Sequence, residues 1–221
     1  MSIPLEDAFL ICSNLLPIGT YFCVLGLLHA LGRPLVTTGL RDTIALALAL
    51  TGLAINGPIS YVLHSRMLPE FLVHSRWIGL LLYVVLVVAM VPRGFETLII
   101  YNCTEAAVVS SVRATLERLG VAFHEVPGGW IMANRGMSLE MDSFGALSNV
   151  TLHFRGLRDR TLFRQIQVDL AETLAGTRIG YSLVGTLMAA SGGLVLALPV
   201  WVLARNPRDF VAMFREMLGA W

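Results

Sequence analysis

Cys103 is the residue whose setting in the sequence is best suited to chemistry. It follows a predicted strand and begins a predicted helix, where partial positive charge on the backbone N–H groups can lower the pKa of a thiol. Asn102 and Glu105 fit a capping arrangement for this helix, and His124 on the next predicted strand offers a base. Because no third group orients this pair, we expect Cys103 to be a small residue that fills a turn rather than a nucleophile.

Two histidine triplets raise the question of a metal site. His64-Ser65-Arg66 and His74-Ser75-Arg76 repeat at a spacing of ten residues, which is close to three helical turns. Two histidines without a third ligand do not make a credible site, so polar residues at a membrane interface are the favoured interpretation. The three cysteines lack the spacing of a zinc site or a disulfide framework. We therefore expect no metal and no cofactor.

The 221-residue chain has the composition of a membrane protein. Hydrophobic residues make up 56% of it and charged residues only 14%, whereas soluble domains carry about 25% charged residues. Its mean hydropathy is +0.71. A net charge of +1 gives no reason to expect a nucleic-acid partner. The acidic start differs from the positively charged start of a signal peptide, so no cleavable signal is expected.

Four apolar segments are each long enough to cross the hydrocarbon core as a helix. They lie at about 8–31, 42–63, 69–91 and 181–204. The first three would form a membrane domain over residues 1–92. None has a charged residue away from its ends, which argues against a pump or a proton-coupled transporter. We expect His29 at the membrane interface, and interhelical hydrogen bonds from Asn14 and Asn56, the deepest strongly polar residues.

Small residues recur at helical spacing in the second and fourth segments, where they would let another helix approach closely. They are Ala45, Ala49 and Gly52 in the second segment and Gly185, Ala189 and Gly193 in the fourth. Packing within the bundle is the simpler interpretation. Contact with another subunit or a second copy is the alternative.

Residues 95–177 have the pattern of a water-compatible α+β domain inserted between the third and fourth spans. Alternating or continuous apolar residues predict strands, and apolar stripes predict two helices. The strands cover 97–101, 121–126, 130–133, 137–142 and 150–155, and the helices cover 104–119 and 159–175. This order, β-α-β-β-β-β-α, predicts a sheet of about five strands with both helices on one face.

The sheet face opposite those helices would carry polar side chains. They are Glu140, Thr151, His153 and Arg155. A solvated face is the simpler interpretation, and a docking surface for a partner domain is the alternative.

Residues 206–221 have the pattern of an amphipathic helix lying at the membrane surface. Its apolar side is formed by Phe210, Phe214, Met217, Leu218 and Trp221. A tryptophan suits the headgroup zone, although docking on a partner is the alternative.

These features favour a non-catalytic integral membrane subunit that scaffolds or regulates a larger membrane assembly. Its partners would be the lipid bilayer and other membrane proteins or further copies of itself. One alternative is a small oligomeric channel or transporter for a neutral solute, lined by Asn14, Thr51 and Asn56. The other is a membrane-bound thiol enzyme that uses Cys103. We expect a bacterial inner-membrane protein, and the arginines near the span ends slightly favour a domain on the extracytoplasmic side.

Overall fold

The computed structural model of the protein describes residues 5–56, 69–94, 96–145, 148–157, 159–177 and 182–205, together with 207 and 211. Its helices are α1 (Leu5–Ala30), α2 (Gly39–Asn56), α3 (Pro69–Gly94), α4 (Glu105–Arg118), α5 (Arg160–Ala175) and α6 (Leu183–Arg205). Its strands are β1 (Leu35–Thr38), β2 (Thr97–Tyr101), β3 (His124–Val126), β4 (Gly129–Met132), β5 (Met137–Phe144) and β6 (Asn149–Arg155).

The chain divides into two compact units. The helical unit contains residues up to Val24, residues 46–86 and residues from Met188 onwards. The sheet unit contains residues 25–45 and 87–187. The ends of α1 and α2 that flank β1 therefore belong to the same unit as the sheet.

The strands of the sheet unit form one sheet in the order β1-β2-β6-β5-β4-β3, and every neighbouring pair is antiparallel. Strand residues alternate between the two faces, and α4 and α5 pack together over the apolar face. Leu98, Leu139 and Leu152 are fully buried there. Leu116 of α4 and Ile166 of α5 belong to the same core, so the hydrophobic effect holds both helices on one face.

Both helices of this core begin at side-chain caps. The Thr104 hydroxyl accepts a hydrogen bond from the N–H of Ala107 at the start of α4. The Asp159 carboxylate accepts from two backbone N–H groups in the first turn of α5. Such caps satisfy donors that have no partner within the helix. The cap of α4 is therefore Thr104, and the predicted role of Asn102 at this position is wrong.

The predicted order of elements is confirmed within the domain, and both helices lie on one face. The sheet, however, has a sixth strand. β1 lies between α1 and α2 and pairs with β2, with Leu35 opposite Tyr101 and Thr38 opposite Leu98. A four-residue strand is too short to show an alternating pattern, so the sequence indicates only a connection between two spans.

Two helices are long and apolar enough to cross a membrane, Leu10–Ala30 within α1 and α6. The predicted second and third spans do not meet this criterion over the described residues. α2 has 18 residues and includes Arg41 and Asp42 near its start, and the apolar part of α3 is limited to Gly79–Val91. By length and composition, the structure supports two of the four predicted spans.

Close contacts join α1 and α2 within the helical unit. A Cβ atom on Gly52 would lie 2.0 Å from the carbonyl oxygen of Ser13, so only glycine permits this approach. The side-chain amide of Asn56 donates to Ser13 Oγ at 3.1 Å and lies 3.4 Å from Asn14 Oδ1. Asn14 and Asn56 therefore form the interhelical contact that the sequence predicted.

Candidate functional site

The sheet face opposite α4 and α5, which we call the open face, carries all four polar residues that the sequence predicted for it. Glu140 of β5 pairs directly with His153 of β6. Thr151 of β6 pairs directly with Ile99 of β2, and Arg155 lies two residues beyond His153. Because residues two apart on a strand share a face, this register brings the four side chains onto one surface.

Two ion pairs cross between β5 and β6 on the open face. Arg155 Nη2 lies 2.7 Å from Glu140 Oε2, and His153 Nε2 lies 3.3 Å from Asp142 Oδ2. Thr97 Oγ1 is 3.4 Å from His153 Nδ1, which extends the polar row to β2. Each ion pair joins diagonal neighbours, a position from which opposite charges interact across strands.

The ion-paired side chains of the open face remain accessible to a partner. Glu140, Asp142, His153 and Arg155 all keep a large part of their surface in solvent. Exposed pairs of this kind typically contribute less than about 1 kcal/mol each to stability. These ion pairs therefore contribute little to holding the sheet together.

One end of the open face is covered by the last turn of α1 and the first turn of α2. The ring of His29 lies edge-on to Tyr101 with the ring centroids 5.6 Å apart, and its Nε2 lies 3.1 Å from Asn149 Oδ1. The Tyr101 hydroxyl donates to the carboxylate of Asp42 in α2. Together with Asn102, these residues form a polar cluster that we call the junction.

Asn102 attaches the end of α1 to the sheet. Its side-chain amide donates to the carbonyl oxygens of Leu28 at 2.6 Å and Arg33 at 3.1 Å. Its backbone φ of 55° lies in the left-handed region, which asparagine adopts more readily than most residues. Carbonyls in the last turn of a helix lack an intrahelical donor. Asn102 therefore caps the end of α1.

The hydrogen bonds of His29 identify its protonated nitrogen. Nδ1 lies 2.8 Å from the Leu25 carbonyl oxygen, which can only accept, so Nδ1 carries a hydrogen. Nε2 faces the side-chain amide of Asn149, a group that offers both an acceptor oxygen and a donor nitrogen. The ring is fully buried. His29 is thus part of the junction, and its position at the membrane interface stays a prediction.

Sequence reasoning did not find the junction, because its five residues come from separate segments. They are His29, Asp42, Tyr101, Asn102 and Asn149. The sequence does place polar residues at the end of α1 and at the start of α2, on either side of β1. It also places polar residues at the end of β2 that lies beside them. Recognising it requires the pairing of β1 with β2, which supplies the register.

Cys103 and His124 are not brought together. Cys103 is buried in the core of the sheet unit, and burial raises the pKa of its thiol more than a backbone hydrogen bond at Thr104 lowers it. His124 lies on β3, four strand positions away from β2, or about 19 Å at the usual strand spacing. A thiol nucleophile needs a lowered pKa, so this geometry supports no catalytic pairing.

The small-residue stripe of α6 contacts α1 at two of its three predicted positions, Gly185 and Ala189. A Cβ atom on Gly192 would lie 2.5 Å from the backbone nitrogen of Cys23, whereas none of the described residues lies within 4 Å of one on Gly193. Gly185 packs against the last turn of α1, and the Ala189 carbonyl accepts from Cys23 Sγ at 3.6 Å. The predicted contact at Gly193 is therefore made by its neighbour.

The stripe of α2 is used over part of its length. Ala49 and Gly52 are buried, and Ala45 is exposed. The side chains of Phe210, Phe214, Met217, Leu218 and Trp221 lie outside the described residues, as do those of His64 and His74. The amphipathic tail stays a prediction.

The open face and the junction lie along the same strands, β2 and β6, and differ in accessibility. The junction is made of largely buried amide, imidazole and hydroxyl groups that hold helix ends. The open face is made of exposed ion pairs that a partner could reach.

Comparison of the chain with protein-family models, with curated proteins and with solved structures finds no match.

Proposed function

We propose that the protein is a non-catalytic integral membrane subunit whose sheet unit scaffolds or regulates a larger membrane assembly. The observation that carries this proposal is the position of β1, which connects α1 to α2 and is also a strand of the sheet that bears the open face. A partner on the open face would therefore bind the same sheet that fixes the ends of two apolar helices. This arrangement suits a regulator, because partner binding and helix position are coupled.

The coupling has a short covalent path. Four residues separate α1 from β1, and α2 begins at the residue after β1. Noncovalent contacts strengthen both connections, since Asn102 and Asn149 contact the last turn of α1 and Tyr101 contacts Asp42 of α2. A displacement of the sheet would thus be transmitted to both helix ends.

We further propose that α2 and α3 enter the membrane as an antiparallel pair, which gives four spans. The hydrogen bond from Tyr83 to the carbonyl of Ala47 supports this pairing, as does Gly79, where a Cβ atom would lie 3.5 Å from the carbonyl oxygen of Ala54. Large apolar side chains exposed on both helices would face lipid.

Purification in mild detergent followed by native mass measurement tests the proposed function. We expect the 24.1 kDa chain to be recovered in a complex with other membrane proteins. The substitution Arg155→Glu should release them, because it breaks the pair with Glu140 and reverses a charge on the open face. The matched control is Arg113→Glu, which breaks an equally close and exposed pair with Glu125 away from that face.

The same measurement separates the alternatives. A chain recovered alone, or partners kept equally by Arg155→Glu, would contradict the proposed function. A closed ring of identical chains would favour the channel, although the Thr51 hydroxyl already donates to a helix carbonyl and Asn56 already bonds Ser13. An activity abolished by Cys103→Ala would favour the thiol enzyme.

A further inference from the structure

Three large apolar side chains of the sheet unit are exposed near the end of α1. Leu31 directly follows α1 and is 67% exposed. Leu35 begins β1 and is 38% exposed, and Phe144 ends β5 and is 60% exposed. Isolated exposed apolar residues are ordinary on protein surfaces. These three are informative only if they lie close together on one surface.

The register of the sheet puts Leu35 and Phe144 on either side of the end of α1. Phe144 pairs with Asn149, which lies 3.1 Å from His29 in the last turn of that helix. Leu35 pairs with Tyr101, whose ring contacts the ring of His29. Since β1, β2, β6 and β5 are consecutive neighbours, Leu35 and Phe144 are about 14 Å apart at the usual strand spacing.

Two arginines accompany these apolar residues. Arg33 precedes β1 and Arg41 follows it, and both are exposed. Within the part of the chain that the structure describes, neither guanidinium has a carboxylate partner. Unpaired basic side chains beside an apolar helix end complement the anionic headgroups of a membrane surface.

We infer that these residues form a membrane-facing rim on which the sheet unit rests against the bilayer surface. The rim consists of Leu31, Arg33, Leu35, Arg41 and Phe144. Its apolar side chains enter the headgroup zone, where aromatic residues collect, and its arginines bind anionic headgroups. This inference rests on the proposed passage of α1 through the membrane, because the rim surrounds the end of that helix.

Site-directed spin labelling in vesicles tests the rim. The three cysteines are replaced by alanine, and single cysteines are introduced as Phe144→Cys, Ile131→Cys and Leu194→Cys in the full chain. Ile131 is the matched control, since it lies on the open face and is 43% exposed. A label at position 194 tests whether α6 lies in the bilayer, since Leu194 is the most exposed large apolar residue of α6 at 77%. The vesicles contain phosphatidylcholine and phosphatidylglycerol.

We expect a label at position 144 to be several-fold less accessible to a water-soluble relaxing agent than one at 131, and more accessible to oxygen. Equal accessibility at 144 and 131, with a lipid-buried label at 194, would overturn the rim and leave the membrane proposal standing. A water-exposed label at 194 would overturn both. Shielding at 144 that disappears on dilution of the chain in lipid would show contact with a second copy and would also overturn the rim.

The arginines are tested by native mass measurement of lipids retained by the chain from the same vesicles. The wild-type chain should retain phosphatidylglycerol in preference to phosphatidylcholine. Each of Arg33→Gln and Arg41→Gln should weaken this preference by roughly five-fold, the effect of one basic residue near an anionic surface. Arg164→Gln, at an exposed position on α5, should leave it unchanged. Equal retention of both lipids by the wild-type chain would refute the headgroup contact.

Discussion

Buried polar groups are tolerated in a protein interior when each of their polar atoms has a partner. His29 meets this condition, because one ring nitrogen bonds a helix carbonyl and the other faces the Asn149 amide. The side-chain NH2 group of Asn102 donates to two backbone carbonyls. The junction therefore stabilises the helix ends while also specifying which side chains must lie there.

His29→Phe should lower the free energy of unfolding by about 1–3 kcal/mol, the usual effect of leaving a buried partner unsatisfied. Phenylalanine keeps an aromatic ring against Tyr101 and removes both ring nitrogens. Chemical unfolding of the chain in detergent, followed by circular dichroism, provides the measurement. The control is His124→Phe at an exposed position of β3, where less than about 0.5 kcal/mol is expected. Equal effects of the two substitutions would mean that the junction contributes nothing.

Asp159→Ala should destabilise the sheet unit at neutral pH and lose this effect in acid. Hydrogen bonds from the backbone N–H groups of Leu162 and Thr161 hold the pKa of Asp159 below its usual value. Below the ordinary aspartate pKa of about 4, the unfolded chain binds a proton before the folded chain does. The contribution of Asp159 is therefore complete above that pH and is lost as the pH falls through the lower, folded value.

Urea unfolding of the wild-type chain and of Asp159→Ala between pH 7 and pH 3 checks this dependence. The difference between their free energies of unfolding should become smaller as the pH falls. Thr104→Ala supplies the control, since Thr104 caps α4 with an uncharged hydroxyl and its effect should not change with pH. A constant effect of Asp159→Ala across the range would show that the ionised carboxylate is not what stabilises α5.

At the scale of the helix, adjacent glycines of α6 have opposite surroundings. Gly192 lies against the backbone of α1 at Cys23, and no atom in the described part of the chain lies within 4 Å of a Cβ placed on Gly193. A repeat of small residues in a sequence gives the period of a helix. It does not tell which side of that helix faces a neighbouring helix. The stripe therefore predicts the close packing at Gly185 correctly, whereas the next contact within the chain is made by Gly192 and not by Gly193.

Gly192→Ala should lower the free energy of unfolding by about 1–3 kcal/mol through overpacking. A Cβ atom there would meet backbone atoms of α1, which cannot move aside as a side chain can. Gly193→Ala adds the same methyl group one position away and should be neutral or slightly stabilising, because alanine favours the helix. Thermal unfolding of both variants in one detergent compares them. Gly193→Ala as the more harmful change would reverse the assignment of the packed face.

β1 shows which part of an element the sequence can predict. The longer strands β5 and β6 alternate clearly enough to predict their faces, and their bounds to within two residues, because seven or eight residues sample the period of two several times. β1 has four residues and owes its conformation to pairing with β2. The open face was predictable because β5 and β6 alternate clearly. The junction was not predictable because it depends on the pairing of the short strand β1 with β2.

For the whole molecule, hydropathy identifies the apolar helices but does not count the membrane crossings. α1 and α6 satisfy the length and composition expected of a span, whereas α2 is shorter and α3 is only partly apolar. Because β1 is in the sheet, the end of α1 and the start of α2 lie on the side of the sheet unit. The segment between α2 and α3 is then the part of the chain that distinguishes two spans from four.

A cysteine placed in that segment, as Ser65→Cys in a cysteine-free chain, should react from the side of the membrane opposite the sheet unit if all four helices cross. An impermeant maleimide is added to right-side-out or inverted vesicles, and Val168→Cys on the exposed side of α5 reports the side of the sheet unit. With a bacterial inner membrane and an extracytoplasmic sheet unit, position 168 should react in intact spheroplasts and position 65 only after inversion. Reaction of both positions from one side would limit the protein to the spans formed by α1 and α6, since a crossing pair of helices carries the segment between them across the bilayer.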